Sequence, residues 1–454
     1  MQKIYVKNFG AISEAEIEIK KILVLIGPQA SGKSTIATLI YFFRGLGNNI
    51  LRQTLRDKDV LFKDFSDVIT YRFKELFGVQ DLHSSFSITF YFDVENGKYL
   101  MIRKLEGEVN LKVDFDTTFF DQPFQKSFRK LRNKIKHTPS DLTKGVSTQN
   151  EEYIDNSFDF YEFRDQLKRT FFDNFSSRRF IIAGRSASVG FGSLFESFFR
   201  TQLEVKILEN RNTINPHERL MSEYLESIGY LKDRFQEFTT FEEVAKQSYD
   251  QFVHYALEKF NAIFKDKYQI NNSGEYLELS NGKLVPFYNA SSGQQESIRI
   301  LQDIFDVMAY KETVFRVVEE PEAHLFPEAQ KNLVELFALL SNHQPDNQII
   351  ITTHSPYILT AFNNLLFANR VIDKNIEAKG EVNEIIPEVF HLKYDNFSAY
   401  SLSNSFGEEG KYYKNIGDDD SGLINQNYLD TVSEILGIEF QKLYKIHAKS
   451  FTRK

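Results

Sequence analysis

At 454 residues, 42% hydrophobic and 26% charged, the chain has the length for two or three domains and the make-up of a globular protein. It holds no cysteine, which excludes disulfides, cysteine-ligated zinc and thiol catalysis. Its formal net charge of −8 excludes a global attraction for nucleic acid, so any such contact would need a local basic patch.

Residues Lys3–Lys7 and Glu14–Ile19 predict two short strands. The N-terminus shows no charged segment leading into an apolar stretch, so no signal peptide is expected. No run approaches 18 apolar residues, so no membrane span is expected and the cytoplasm is the expected location. A third strand, Ile22–Ile26, feeds Gly27–Ser34, which reads G-P-Q-A-S-G-K-S. Strand, glycine loop and helix in that order make a phosphate-binding loop. Gly27 and Gly32 let the backbone curl its N–H groups toward phosphate oxygens, and the helix N-terminus adds its dipole. Lys33 is placed to reach the β- and γ-phosphates of ATP, Ser34 to hold Mg²⁺, and Thr35 to join the nucleotide-binding set in the first helical turn. That helix is expected through Phe43, with Gly45 and Gly47 as stop signals.

Phe86, Ile88, Phe90 and Phe92 alternate with smaller or polar residues, the period of a half-buried strand. Asn96-Gly97 reads as a hairpin turn before Tyr99–Ile102, and Glu106-Gly107 as a turn before Val109–Phe115, giving an antiparallel meander. Residues 125–176 are polar, with a basic cluster at Lys126, Arg129, Lys130, Arg132, Lys134 and Lys136. Arg178–Arg185 looks like a strand returning to the core sheet. Gly192–Tyr268 reads as mostly helical, broken at Pro216 and Gly229, with no long heptad arm. A Gly- and Asp-rich loop at Gly407–Gly422 and an amphipathic helix at Tyr428–Leu436 close the chain. The resulting division is a first lobe at 1–124, an insertion at 125–177, a returning strand at 178–190 and a helical subdomain at 191–268. A second lobe at 269–400 and a C-terminal cap at 401–454 complete it.

Three motifs stand in the second lobe. Ser291, Ser292, Gly293 and Gln294 precede a helix, and alone they read as an ordinary N-cap. The apolar strand Phe315–Val318 ends in Glu319, Glu320, Pro321 and Glu322. Adjacent carboxylates at a strand end repel each other and are costly unless a cation or a reaction needs them. A second apolar strand, Gln348–Thr353, ends at His354.

In that order the motifs resemble the ABC-type P-loop ATPases. The string Glu319–Pro327, with Thr353–Pro356, is similar to the OLD-like, stand-alone branch, many members of which serve in bacterial antiphage defence; SMC and RecF heads are related. The resemblance implies an α/β ABC-type ATPase head: a mixed sheet with flanking helices, an antiparallel β subdomain and a largely helical insertion. It implies that Glu319 belongs to the Mg²⁺ shell, that Glu320 is the general base for the attacking water, and that His354 contacts the γ-phosphate. It also makes Ser291–Gln294 the signature that binds the γ-phosphate of a second chain, so ATP is sandwiched in a homodimer that closes on ATP. Glu322–Leu325 would lie at the dimer interface, His324 has no assigned role, and Arg185 is expected near the nucleotide or that interface. The chain departs from the general pattern at Ser292, where glycine is usual, and at Ala290, where leucine is usual. Gln53, Gln80 and Gln125 stand as alternatives for the Q-loop glutamine.

A fused nuclease needs carboxylate clusters after His354, and only Gly417–Gly422 offers one. A separate effector, nuclease or toxin, is therefore the expected partner, with DNA contact possible through residues 126–136. The alternatives are a DNA repair or recombination ATPase of RecF or SMC type, or an ATP-binding scaffold with slow hydrolysis.

Overall fold

In the computed structural model, strands β1 (Gln2–Phe9) and β2 (Ile12–Ile19) pair as a hairpin, and β3 (Ile22–Ile26) runs into helix α1 (Lys33–Arg56). The structure describes all residues except 58, 60, 62–63, 79–84, 109, 138–156, 175–176, 191–198, 200, 203–215, 236–239, 272–273, 404–411, 426–437 and 446–454. Helix α2 (Phe65–Phe77) is followed by the meander β4 (Phe86–Asp93), β5 (Lys98–Lys104) and β6 (Lys112–Phe115). β4 also pairs with β1, closing an antiparallel sheet of order β2-β1-β4-β5-β6. Helices α3 (Gln122–His137) and α4 (Phe158–Phe171) lie within the polar insertion, whose residues 138–156 fall outside the described set.

The chain returns through β7 (Ser177–Ile181) and then α5 (Pro216–Phe235), α6 (Phe241–Gln247) and α7 (Gln251–Phe264). Three strands, β8 (Lys267–Asn271), β9 (Gly274–Glu278) and β10 (Leu284–Pro286), form a small antiparallel sheet before α8 (Ser292–Tyr310). Then β11 (Val314–Glu319), α9 (Pro327–His343), β12 (Gln348–Thr353), α10 (Pro356–Lys374), β13 (Phe397–Leu402) and β14 (Tyr413–Asn415) build the central sheet and its cover. Its order is β14-β13-β3-β12-β11-β7, parallel throughout except for β14. The α/β architecture expected from the motifs, a mixed sheet with flanking helices and an antiparallel β subdomain, is the one found.

Parallel strands buried on both faces need continuous apolar runs, and these have them. Ile22–Leu25 and Ile349–Ile351 are fully buried. The phenylalanine excess fills the space between the antiparallel sheet and its helices: Phe43 stacks on Phe90 at 4.9 Å, and Phe92 meets both Phe119 and Phe171 edge-on. No helix among the described residues is long and apolar enough to cross a membrane.

Four local expectations are corrected. Helix α1 does not stop at Gly45 or Gly47 but runs to Arg56. A Cβ at Gly47 would lie 3.5 Å from Phe171, and one at Gly45 3.5 Å from the Arg178 guanidinium, so both glycines make room for neighbours. Packing there overrides a helix penalty of about 1 kcal/mol per glycine. Gly229 likewise sits inside α5, where the buried Tyr224, Leu225, Ile228 and Leu231 hold the helix across it, while Pro216 is the first residue of that helix. Tyr268 is on β8, so the helical stretch ends at Phe264. Of Gly407–Gly422, the described part is not simple loop: β14 precedes a small hairpin, β15 (Gly417–Asp418) and β16 (Leu423–Ile424). The expected helix Tyr428–Leu436 lies outside the described residues.

Candidate active site

The phosphate loop leaves the end of β3 between two parallel neighbours, β12 and β13. Gly27 is pressed against β13: a Cβ there would meet the Leu402 carbonyl oxygen at 2.2 Å. Gly32 caps α1 in the left-handed region, φ 81°, and a Cβ would reach Ile12 at 2.8 Å. Only glycine satisfies both demands. Lys33 is 5% exposed, and its ammonium donates to the carbonyls of Gly27 at 2.9 Å and Pro28 at 2.8 Å. Burial pulls that ammonium below its usual range, while the charges of Glu320, Glu322 and Glu319 push back. Ser34 is exposed at the start of α1, and Thr35 follows it beside the β1–β2 turn at Gly10.

The acidic strand end lies across from this loop. Glu319 is the last residue of β11 and is buried, its Oε2 accepting from the Ala183 N–H at 3.3 Å. Glu320 then turns out of the sheet with φ 42°, a left-handed conformation in a residue with a side chain. Such backbone costs on the order of 1–3 kcal/mol and concentrates at functional sites. His354 follows the end of β12, and its Nε2 stands 3.3 Å from Glu320 Oε1. Glu322 braces this corner: its Oε1 accepts from Thr353 Oγ1 and from the His354 N–H, each at 2.7 Å. Lys33, Glu319, Glu320 and His354 are thus gathered at one end of the central sheet.

The Ser291–Gln294 segment sits differently. Ser291 caps α8 through a capping box with Gln294, whose Oε1 accepts from the Ser291 N–H at 3.1 Å and from its Oγ at 2.9 Å. Ser291 and Ser292 are nevertheless exposed. Gly293 is buried against the turn that follows Glu320, where a Cβ would meet the His324 carbonyl oxygen at 2.6 Å. The N-cap reading and the signature reading are therefore compatible, because the cap orients the serine outward.

Arg185 is fully buried and reaches the backbone beneath the carboxylates, not the loop. It donates to the Glu319 carbonyl at 2.6 Å, the Glu320 carbonyl at 3.1 Å and the Glu296 carbonyl at 2.9 Å. Glu296 was not visible as a site residue in the sequence; its only signal is a carboxylate on the buried face of a helix. Gln53 and Gln125 do not approach the loop. Gln53 lies twenty residues along α1, roughly 30 Å at about 1.5 Å per residue, in a polar cavity of about 1100 Å³ between α1, α2, α5 and β7. Gln125 donates to the Phe120 carbonyl at 3.0 Å. Gln80 is outside the described residues.

The donor set suits a nucleotide-borne Mg²⁺. Among the described residues no three His, Asp or Glu side chains converge as a self-sufficient metal site. Mg²⁺ typically takes one or two protein oxygens and completes its shell with phosphate and water. Ser34 and Glu319 can supply those oxygens, and Glu322 Oε2 is buried with no hydrogen-bond partner among the described residues, a spare acceptor at the same corner.

A family model described as an AAA ATPase domain matches residues 1–359. No curated protein matches the chain significantly. Among solved structures, an Smc head bound to the C-terminal winged-helix domain of ScpA aligns over 79% of this chain and 90% of its own, at 13% identity and a TM-score of 0.36. An SMC head domain from Thermotoga maritima aligns over 92% and 98%, at 11% identity and a TM-score of 0.35. An Smc head with an extended coiled coil, bound to the C-terminal domain of ScpA derived from Pyrococcus furiosus, aligns over 80% and 92%, at 14% identity and a TM-score of 0.33.

Proposed function

The chain belongs to the AAA ATPase domain family and is an ATPase; from that premise we propose that it acts as a nucleotide-switched homodimer that completes each ATP site from two chains. The observation that carries this reading is the Glu320–His354 pair, 3.3 Å apart across from the phosphate loop, while Ser291 faces outward on the same molecule. Lys33 and the loop amides bind and neutralise the β- and γ-phosphates. Glu320 orients the attacking water and takes its proton as the oxygen bonds to the γ-phosphorus and the β–γ bridge breaks. His354 holds the Glu320 carboxylate and faces the γ-phosphate. Mg²⁺, held by Ser34 and Glu319, supplies charge neutralisation when bound. The serine that closes the site comes from the second chain.

Replacing Glu320 by Gln removes the base and leaves the binding groups, so Glu320→Gln should hydrolyse ATP at least about 100-fold more slowly and elute as a dimer with ATP. Phosphate release at the native rate would end the assignment.

The stretch Glu319–Pro327 with Thr353–Pro356 supports the finer reading of a defence ATPase that senses a trigger and controls a separate nuclease or toxin. Co-purification of the untagged chain with a stoichiometric effector tests it, and recovery of the chain alone from challenged cells counts against it. The basic cluster on α3 gives the DNA-repair alternative little support. Its apolar face packs through Phe124, Phe128 and Leu131, while Lys130 pairs with Glu162 at 2.7 Å and Lys136 with Asp59 at 3.2 Å.

A further inference from the structure

We infer that Arg185 is a positioning residue that locks the Glu320 turn to the start of the signature helix, so that the carboxylate a chain uses and the serine it presents to its partner are set together. The inference rests on the two-chain site proposed above and assigns its internal coupling.

Four of the five guanidinium N–H groups of Arg185 donate to carbonyls on three separate elements. Its backbone N–H and that of Ser186 grip the two oxygens of Glu296, each at 3.1 Å, and its Nε donates to the Glu296 carbonyl at 2.9 Å. Its Nη1 donates to the Ile182 carbonyl at 2.7 Å and to that of Glu319 at 2.6 Å, and its Nη2 to that of Glu320 at 3.1 Å. One guanidinium therefore spans the segment after β7, the end of β11 and the first turns of α8. Glu296 sits four residues after Ser292, one turn into the helix that Ser291 caps.

The Glu320 contact has a mechanical meaning. Residue 320 holds φ 42° only if its neighbours over-determine it. Its N–H donates to the Thr352 carbonyl at 2.9 Å and its own carbonyl accepts from Arg185, so both of its peptide groups are pinned. A second contact joins the same two regions independently: Gly293 lies against the His324 carbonyl with no room for a Cβ. Packed and hydrogen-bonded this way, the helix start and the carboxylate turn have no soft joint between them. A lysine cannot reproduce the planar fork that holds them.

Arg185→Lys should lower kcat for ATP by about tenfold or more, by analogy with other small misplacements of a catalytic group, with KM within about twofold and a lowered thermal midpoint without nucleotide, because buried carbonyls lose their donors. Glu296→Gln keeps one acceptor oxygen and sets an amide NH2 against the second backbone N–H that the carboxylate accepts; it should shift kcat the same way and covers the case in which Arg185→Lys fails to fold. The deciding measurement is phosphate release from mixed dimers. Lys33→Ala chains mixed with Ser291→Arg chains should recover activity, since one intact site forms. Arg185→Lys chains mixed with Ser291→Arg chains should not, because the serine they present is no longer held in register. Recovery in both mixtures, or a loss confined to KM, overturns the coupling. Absence of recovery in the Lys33→Ala mixture, with mixed dimers demonstrated, overturns the two-chain site and the coupling with it.

Discussion

The chemistry concentrates in residues that tolerate no neighbour of a different size. Gly32 combines a left-handed φ of 81° with 2.8 Å between its virtual Cβ and Ile12. Gly32→Ala should therefore cost on the order of 1–3 kcal/mol and also displace Lys33. The check is a thermal melt with and without ATP and Mg²⁺. Nucleotide raises the midpoint of the native chain by mass action, and that rise should vanish in the variant. The phosphate loop was legible because its chemistry is local: the glycines, Lys33 and Ser34 fall within eight consecutive residues. Glu319, Glu320 and His354 were legible because each ends an apolar strand, a place where an ionisable side chain is conspicuous. Arg185 was only half legible. Its segment reads as a strand end, but its partners lie more than a hundred residues away, and no periodicity encodes them.

At the level of elements, the sequence announced strands better than helix ends. The runs Ile22–Ile26 and Gln348–Thr353 appear in the sheet with the bounds they have in the sequence. Glycine as a stop signal failed for α1 and α5, because a glycine at a close packing contact or on an open face looks the same in one dimension. The clamp between α8 and the small antiparallel sheet was also hidden. Arg299 of α8, 1% exposed, grips both carboxylate oxygens of Glu275 on β9, at 2.5 and 2.8 Å. Burial disfavours the Glu275 charge, but Arg299 outweighs it and holds the carboxyl down at about 2, against an ordinary 4.5. A depressed carboxyl gives stability that is full above the unfolded value and lost as pH falls through the folded one. Glu275→Gln should therefore cost about 3 kcal/mol at pH 7 in urea unfolding, with the gap to the native chain narrowing between pH 4.5 and about 2. A gap that stays constant across that range would remove the charge from the account.

For the molecule as a whole, three exposed aromatics stand close in sequence to site segments. Tyr288 precedes the signature, Phe326 follows the His324 turn and Tyr357 follows His354; they are 60%, 78% and 54% exposed. Large exposed apolar side chains around a half-site suit a surface that a second copy covers. Phe326→Asp should abolish the ATP-dependent dimer in light scattering and leave the melting midpoint of the monomer within about 2 °C, as expected for a surface change. Persistence of the dimer would move the interface elsewhere. The central sheet adds a constraint in time. The strand that delivers the phosphate loop has β13 as one neighbour, and the Leu402 carbonyl backs Gly27. A ribosome making roughly 5–20 residues per second would need about 20–75 s between the two. For that interval the nascent chain carries every atom of Lys33 without the wall its loop leans on. Glu320 and His354 both precede Leu402 in the chain, so of the parts gathered at this end of the sheet the wall behind Gly27 is the last to be made.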